Sequence, residues 1–532
     1  MERMLGVMID CSRNAVMNVE AVKKYANIIR KMGYNTLMLY TEDTYEVDNQ
    51  PFFGHLRGRY SKEELKEIDR YCRDIDIELI PCIQTLAHLE SMFKWPEQYG
   101  KINDCDDILL IDSADTYKLI EDMISTVAEC FTSRKIHIGM DEAYRVGMGR
   151  YRELYGEKDR FSIINGHLHK VCSILKCYGF EPMIWSDMFY TLALNLDNQY
   201  SEEDKSAEMS AFVKGVKLPE EVSLVYWDYY STNYDDYLRR IKTNQLFDRK
   251  VYFAGGAWTW KGFVPDNKFS METTRVAMEA CRKTGVDGVF FTLWGDDGSE
   301  CSKFSVLPSL MYAAEMAKGN TDIESIKRKF KEITGYEFDS FMLFDELDMP
   351  MKKRYESLSK CILYNDLFLG IRNHLEEEKF VGYYEKLLSR LKNVNKKGQF
   401  DYLFEWYISF ADLLSVKSNL SSRIIEAYKA KDMDKLTLAA DDCKTLIRKL
   451  SFFHKSYQKR WFEENKPHGF DVQDIRLGGV IQRVKSCMER LQQYIDGAIT
   501  VIEELEEPVL NDANGFSYWS RLVTPNLISH TY

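Results

Sequence analysis

No stretch of this chain approaches the roughly 20 consecutive apolar residues that a membrane-spanning helix needs. Its start, MERMLGVMIDCSRN, has no basic flank followed by a long apolar run, so no secretory signal is expected. Positive charge is in deficit: 71 Lys and Arg stand against 83 Asp and Glu, a formal net charge of -12. That balance argues against nonspecific nucleic-acid binding, which needs a basic face. It argues equally against docking on anionic lipid. The 12 cysteines are scattered, with no CxxC spacing and no Cys/His cluster of the kind that binds zinc. Without a signal they are expected to be the reduced thiols of a cytoplasmic protein. There is no internal repeat and no low-complexity tract.

What remains is the composition of a globular protein: 45% hydrophobic and 29% charged residues over 532 positions. That length exceeds one ordinary core and predicts two or three domains. Aromatics reach 13%, with 33 Tyr and 9 Trp. Most of them are expected in cores, although aromatic walls also suit sugar rings.

Up to about residue 300, short apolar runs alternate with longer amphipathic ones. The predicted strands are 5–10, 35–40, 77–82, 135–140, 182–187, 223–228, 251–256 and 288–294. They are continuously apolar, as strands buried on both faces must be. Helical periodicity fills the gaps. VEAVKKYANIIRKMG places Val19, Val22, Ala26, Ile29 and Met32 on one face and stops at Gly33. Ser61 and Glu64 form a capping box at the start of the next helix. Eight strands interleaved with helices predict a (β/α)8 barrel over 1–318, with a doubly wound sheet as the alternative. From 319 to 532 the pattern is almost entirely helical, which predicts an α-helical C-terminal domain. An irregular segment is expected at 464–479, either a helix–helix connection or a loop reaching an active site. The tail at 516–532 reads as extended chain.

Catalytic residues of a (β/α)8 barrel lie at the C-terminal ends of its strands. Here those ends carry an unusual set. Strand one leads to Arg13 and strand two to Glu42, Asp43 and Tyr45. Strand three leads to His88, and strand five to Trp185 and Asp187. Strand six ends in Trp227, Asp228, Tyr229 and Tyr230, strand seven in Trp258 and Trp260, and strand eight in Trp294 and Asp296. Strand four, in RKIHIGMDEAYRVG, stops at two adjacent acids, Asp141 and Glu142. Each Trp alone reads as packing and each Asp as a helix cap. Together they describe a pyranose pocket, with Trp under the apolar ring faces and Asp and Arg at the hydroxyls.

IHIGMDEA resembles the H-x-G-x-D-E signature of family 20 glycoside hydrolases, the β-N-acetylhexosaminidases. The resemblance extends to Arg13 after strand one, His88 after strand three, Trp at strand ends five to eight, and a closing Trp294-x-Asp296. It spans roughly residues 4 to 300. Most members carry a small α/β domain before the barrel, whereas the sequence here begins almost at strand one, and the usual Pro-Gly-His on strand three appears as TLAHLE. The helical C-terminal half is similar to an intracellular bacterial branch acting on both GlcNAc and GalNAc.

The resemblance implies exo cleavage of terminal β-linked GlcNAc or GalNAc from short glycans. In that chemistry the nucleophile is the substrate's own 2-acetamido oxygen, which forms an oxazolinium intermediate. Glu142 is then the general acid and base, with an expected raised pKa. Asp141 orients and stabilises the acetamido group. Tyr229 or Tyr230 holds its carbonyl, and Asp43 and His88 relay protons to Glu142. Arg13 and Asp296 bind hydroxyls, while Trp185, Trp227, Trp258 and Trp294 wall the pocket. No metal and no cofactor is implied, and a homodimer is among the allowed assemblies. Two other classes are weighed against this one. A metal-dependent barrel hydrolase would need clustered histidines, but His167 and His169 fall in a predicted helix, where i and i+2 point apart. A catalytically silent sugar-binding barrel would have no need of Glu142.

Overall fold

The computed structural model describes residues 3–194, 205–351, 357–370, 373, 378–395 and 398–508. The tail expected to be extended, 516–532, lies outside them. The chain forms two compact units. The first comprises Met1–Trp258, Asn267–Trp294 and Ser309–Ile326, and the second Thr259–Asp266, Gly295–Pro308 and Lys327–Tyr532.

The first unit is a closed barrel of eight parallel strands: β1 (Met4–Asp10), β2 (Thr36–Tyr40), β3 (Glu78–Cys82), β4 (Lys135–His137), β5 (Glu181–Trp185), β6 (Ser223–Trp227), β7 (Val251–Gly256) and β8 (Gly288–Leu293). Each strand pairs with its sequence neighbours, and β1 closes the ring on β8 with Val7 opposite Phe291 and, on the other side, Leu37. Alternate side chains point inward and fill the barrel. Met4 and Met8, Met38 and Tyr40, Ile80 and Cys82, Met183 and Trp185, Val225, Tyr252, Ala254 and Phe290 make one buried cluster. Trp227 and Trp294 pack on it while keeping part of their surface open.

The surrounding helices begin and end where local chemistry requires. α1 (Val19–Met32) has Asn18 accepting the Ala21 N–H at its start and Gly33 at φ 106 at its end. α2 (Lys62–Asp74) carries the full capping box of Ser61 and Glu64. α3 (Ala114–Cys130), α4 (Arg160–Cys177), α5 (Tyr234–Gln245) and α6 (Asn267–Thr284) complete the set used here. The fourth strand is half the length its sequence predicts. β4 stops at His137, because Gly139 and Met140 both adopt left-handed backbone, φ 72 in each case.

The second unit is helical, built on α7 (Lys379–Lys392), α8 (Asp401–Lys417), α9 (Met433–Glu464) and α10 (Phe470–Ile495). Its core is aromatic: Trp406, Tyr407, Phe410, Phe453, Tyr457 and Trp461 are fully buried. The Arg460 guanidinium lies 4.4 Å from the Trp406 ring centre and 4.7 Å from that of Tyr457. The irregular segment expected at 464–479 shrinks to a connection between α9 and α10. Gly478 and Gly479 lie inside α10, because buried Leu477 and Val480 hold that stretch by packing and outweigh the low helix propensity of glycine.

Candidate active site

Gly139 explains the H-x-G-x-D-E motif physically. A Cβ there would fall 1.9 Å from Gln84 Oε1, so only glycine admits the Gln84 amide beneath the loop. That amide is used in full. Its oxygen accepts from Met140 N–H at 3.1 Å, and its nitrogen donates to Asp141 Oδ1 at 2.7 Å and to Tyr40 Oη at 2.8 Å. His137 Nδ1 accepts from Gly139 N–H at 3.1 Å, and burial pushes this imidazole down to about 3. It is a neutral wedge packed 4.3 Å from the Trp185 ring.

The two acids that follow differ sharply. Asp141 is buried, with His88 Nε2 3.2 Å from its Oδ2. Burial alone would raise its pKa, but the His88 charge and the bonds from His88 and Gln84 hold it at about 2. Burial likewise opposes protonation of His88, yet Asp141 lifts it to about 10. Arg13, with Nη2 3.4 Å from His88 Nδ1, opposes that rise. Glu142 leaves 43% of its side chain exposed, with Oε2 3.7 Å from the same His88 nitrogen. Its neighbour is therefore a fixed anion, whereas Glu142 is open to a ligand.

Arg13 joins the ends of β1, β2 and β8. It lies 3.6 Å from Asp10, 3.4 Å from Glu42, and 5.4 Å from the ring centres of both Tyr40 and Trp294. Asp43 pairs with Arg57 at 3.0 Å, while the ring nitrogens of His88 face Asp141, Glu142 and Arg13. Of the two tyrosines after β6, Tyr229 is buried at 5% exposure, stacked 5.2 Å from Trp227 and close to Thr292 and Trp294. Tyr230 is 42% exposed and meets the edge of Trp258. Trp258 donates from Nε1 to the Tyr229 carbonyl at 3.0 Å. Trp185 is buried in the barrel interior, 6.1 Å from Trp294. Asp296 falls in the second unit and is exposed. Its assignment as a sugar ligand rests on the Trp-x-Asp motif alone.

Two residues without a role in the sequence reading belong to this cluster. Gln84 follows β3 with no distinguishing local signal. Asp187 is visible as an acid beyond β5, but nothing local ties it to Glu142. In the structure its Oδ2 accepts the Glu142 N–H at 3.0 Å. Burial and the nearby Asp141 charge push its carboxyl up to about 8. No group of three or more His, Cys, Asp or Glu among the described residues is arranged to hold a metal ion.

Comparison with known proteins places these features in a family. A model described as the glycosyl hydrolase family 20 catalytic domain matches residues 4–227. Another, described as the glycoside hydrolase 20C C-terminal domain, matches 339–517. Hexosaminidase D of Homo sapiens is 26% identical over 225 residues, covering 41% of this chain and 43% of that protein. Hexosaminidase D of Bos taurus is 24% identical over 246 residues, covering 44% and 63%. The chain thus spans about half the length of these curated relatives. Among solved structures, the β-N-acetylhexosaminidase of Bacteroides fragilis NCTC 9343 is similar with a TM-score of 0.48 and 19% identity, over 62% of this chain and 71% of that one. The exo-β-N-acetylglucosaminidase of Vibrio harveyi in complex with N-acetylglucosamine follows at 0.47 and 15%, over 64% and 58%. The two family models, matched in order along the barrel and the helical region, show that the chain belongs to glycoside hydrolase family 20.

Proposed function

We propose that this protein is an exo-β-N-acetylhexosaminidase that removes terminal β-linked GlcNAc or GalNAc from short, cytoplasmic oligosaccharides with retention of configuration. The observation that carries the reading is the unlike state of two adjacent carboxylates. Most retaining glycosidases set an acid and a nucleophile about 5–5.5 Å apart across the scissile bond. Asp141 is instead locked to His88 and Gln84 and is poorly placed to attack an anomeric carbon. A substrate that supplies its own nucleophile removes the need for a second free carboxylate. Intramolecular attack by a 2-acetamido oxygen gains effective molarities of about 10⁵–10⁸ M in favourable cases.

In this mechanism Glu142 protonates the glycosidic oxygen and later takes a proton from water. Asp141 accepts the acetamido N–H and stabilises the positive charge of the oxazolinium. Tyr229 is the tyrosine that holds the acetamido oxygen, a choice supported by its burial beside Trp227 and Trp294. His88, bridging both acids, keeps a positive charge beside them through both steps. Arg13 binds a ring hydroxyl, and the partly open Trp227 and Trp294 face the sugar. Asp43 supports the loops through Arg57, which also donates to the Ser12 carbonyl.

Release of nitrophenol from β-GlcNAc, β-GalNAc and β-glucose glycosides tests the reading, with and without chelator. Turnover of the N-acetyl substrates alone is expected, indifferent to chelator and reduced about 10³-fold in kcat by Glu142→Gln. Equal turnover of the glucoside would exclude the acetamido nucleophile. Sugar binding with no turnover would make the barrel a lectin.

A further inference from the structure

The loops at the catalytic face hold several non-glycine residues in left-handed backbone: Glu42 at φ 44, His88 at 58, Met140 at 72 and Glu142 at 51. Each such residue is strained relative to its ordinary conformation and persists only where its surroundings impose it. For three of the four, the structure shows what imposes it. The N–H of the strained residue is captured by a side-chain acceptor from another loop. Asp107 Oδ2 takes His88 N–H at 2.8 Å, Gln84 Oε1 takes Met140 N–H at 3.1 Å, and Asp187 Oδ2 takes Glu142 N–H at 3.0 Å.

We propose that Asp187 is the positioning residue of the general acid: by holding the Glu142 N–H it fixes the left-handed turn that aims the Glu142 carboxyl at the leaving oxygen. This rests on the hexosaminidase reading and deepens it. Asp187 sits at the start of the helix Asp187–Leu194, just beyond β5, the strand paired with β4, and is 1% exposed. The groups that face it are Asp141, Glu142, Tyr144 and the Trp227 indole. None of them is a cation, and Asp141 is ionised by its pairing with His88. A third negative charge here is opposed by burial and by Asp141, so Asp187 serves as a neutral carboxylic acid around neutral pH. A neutral acceptor aims the main chain of Glu142 without resisting its ionisation when it turns from acid to base.

Asparagine at 187 keeps a carbonyl acceptor without charge, and alanine removes it. We expect Asp187→Ala to lose about 10²-fold in kcat on nitrophenyl β-GlcNAc with KM nearly unchanged. Asp187→Asn should stay within about tenfold of wild type around neutral pH and keep its pH profile there. An alanine variant with wild-type kcat overturns the role of Asp187. So does an asparagine variant that loses as much as alanine, since the charge would then be what matters. If the alanine chain does not fold, the asparagine variant decides alone: activity within tenfold supports the role, and a 10²-fold loss refutes it. Wild-type enzyme inactive on every N-acetyl glycoside would sink the functional reading and this inference with it, whereas an active wild type beside an unimpaired alanine variant sinks only the inference.

Discussion

Two buried charge clusters in this molecule are built on opposite plans. In the helical unit, Glu300 meets Lys360 at 2.6 Å and Arg476 at 2.9 Å, and Glu464 meets Arg460 at 3.3 Å and the Ser302 hydroxyl at 2.6 Å. Each acid there has a dedicated cation. At the barrel's strand ends, Asp10, Glu42, Asp141, Glu142 and Asp187 stand in a group whose ion pairs among the described residues run to Arg13 and His88. The first plan is that of a structural core, where an unpaired buried charge would be prohibitive. The second leaves negative charge in excess and pushes titrating groups apart: Asp141 to about 2, Asp187 to about 8 and His88 to about 10. Divergent pKa values in one small site are the mark of acid–base chemistry.

The contrast predicts unlike responses to neutralisation. The largest effect on stability belongs to Arg460→Met, which strands Glu464 in an aromatic core. A loss of about 3–5 kcal/mol is expected in denaturant unfolding. A smaller loss than that of an ordinary surface change would show that this pair is not structural.

Asp141→Asn should act mainly on catalysis. We expect about a 10²-fold loss of kcat on the N-acetyl substrates, with a melting temperature lowered by less than Arg460→Met lowers it, because the lost pairing with His88 is offset in part by the relief of Asp187. If Asp141→Asn unfolds the barrel as readily as Arg460→Met unfolds the helical unit, the two clusters are alike and the contrast fails.

The smallest effect is on pH dependence. His88 is raised from its ordinary 6.5 to about 10, so the stability it adds is complete below 6.5 and is lost as pH rises through 10. Asp187, raised from 3.8 to about 8, adds a loss over its own window as pH climbs from 3.8 through 8. Asp141 acts in the other direction and loses its contribution as pH falls from 3.8 towards 2. The wild-type melting temperature should therefore decline between pH 6.5 and 10, and Asp141→Asn should flatten that slope by releasing His88. An unchanged slope would separate His88 from Asp141 energetically.

Much of this was legible along the chain. Continuous apolar runs mark the eight strands, and Gly33, Ser61 and Glu64 mark helix ends, because these signals act between residues a few positions apart. The Asp141–Glu142 pair also stands out, since a strand that ends in acids breaks its own hydrophobic pattern. The helix Phe470–Ile495 is harder to read: Gly478 and Gly479 locally oppose it, and only packing of Leu477 and Val480 overrules them. The same holds for the fine structure of the site. Tyr229 and Tyr230 are indistinguishable in sequence, and only the turn after β6 buries one and exposes the other. That Asp43 meets Arg57, that Gln84 fits under Gly139, and that Asp187 reaches the Glu142 N–H are contacts between residues beyond the strand ends, 14 to 55 positions apart. Sequence alone determined which residue types reach the mouth of the barrel. Closure of the barrel decided which of them touch, because hydrogen bonds and charge coupling fall off within a few ångströms, and those distances exist only once the eight strands are in register.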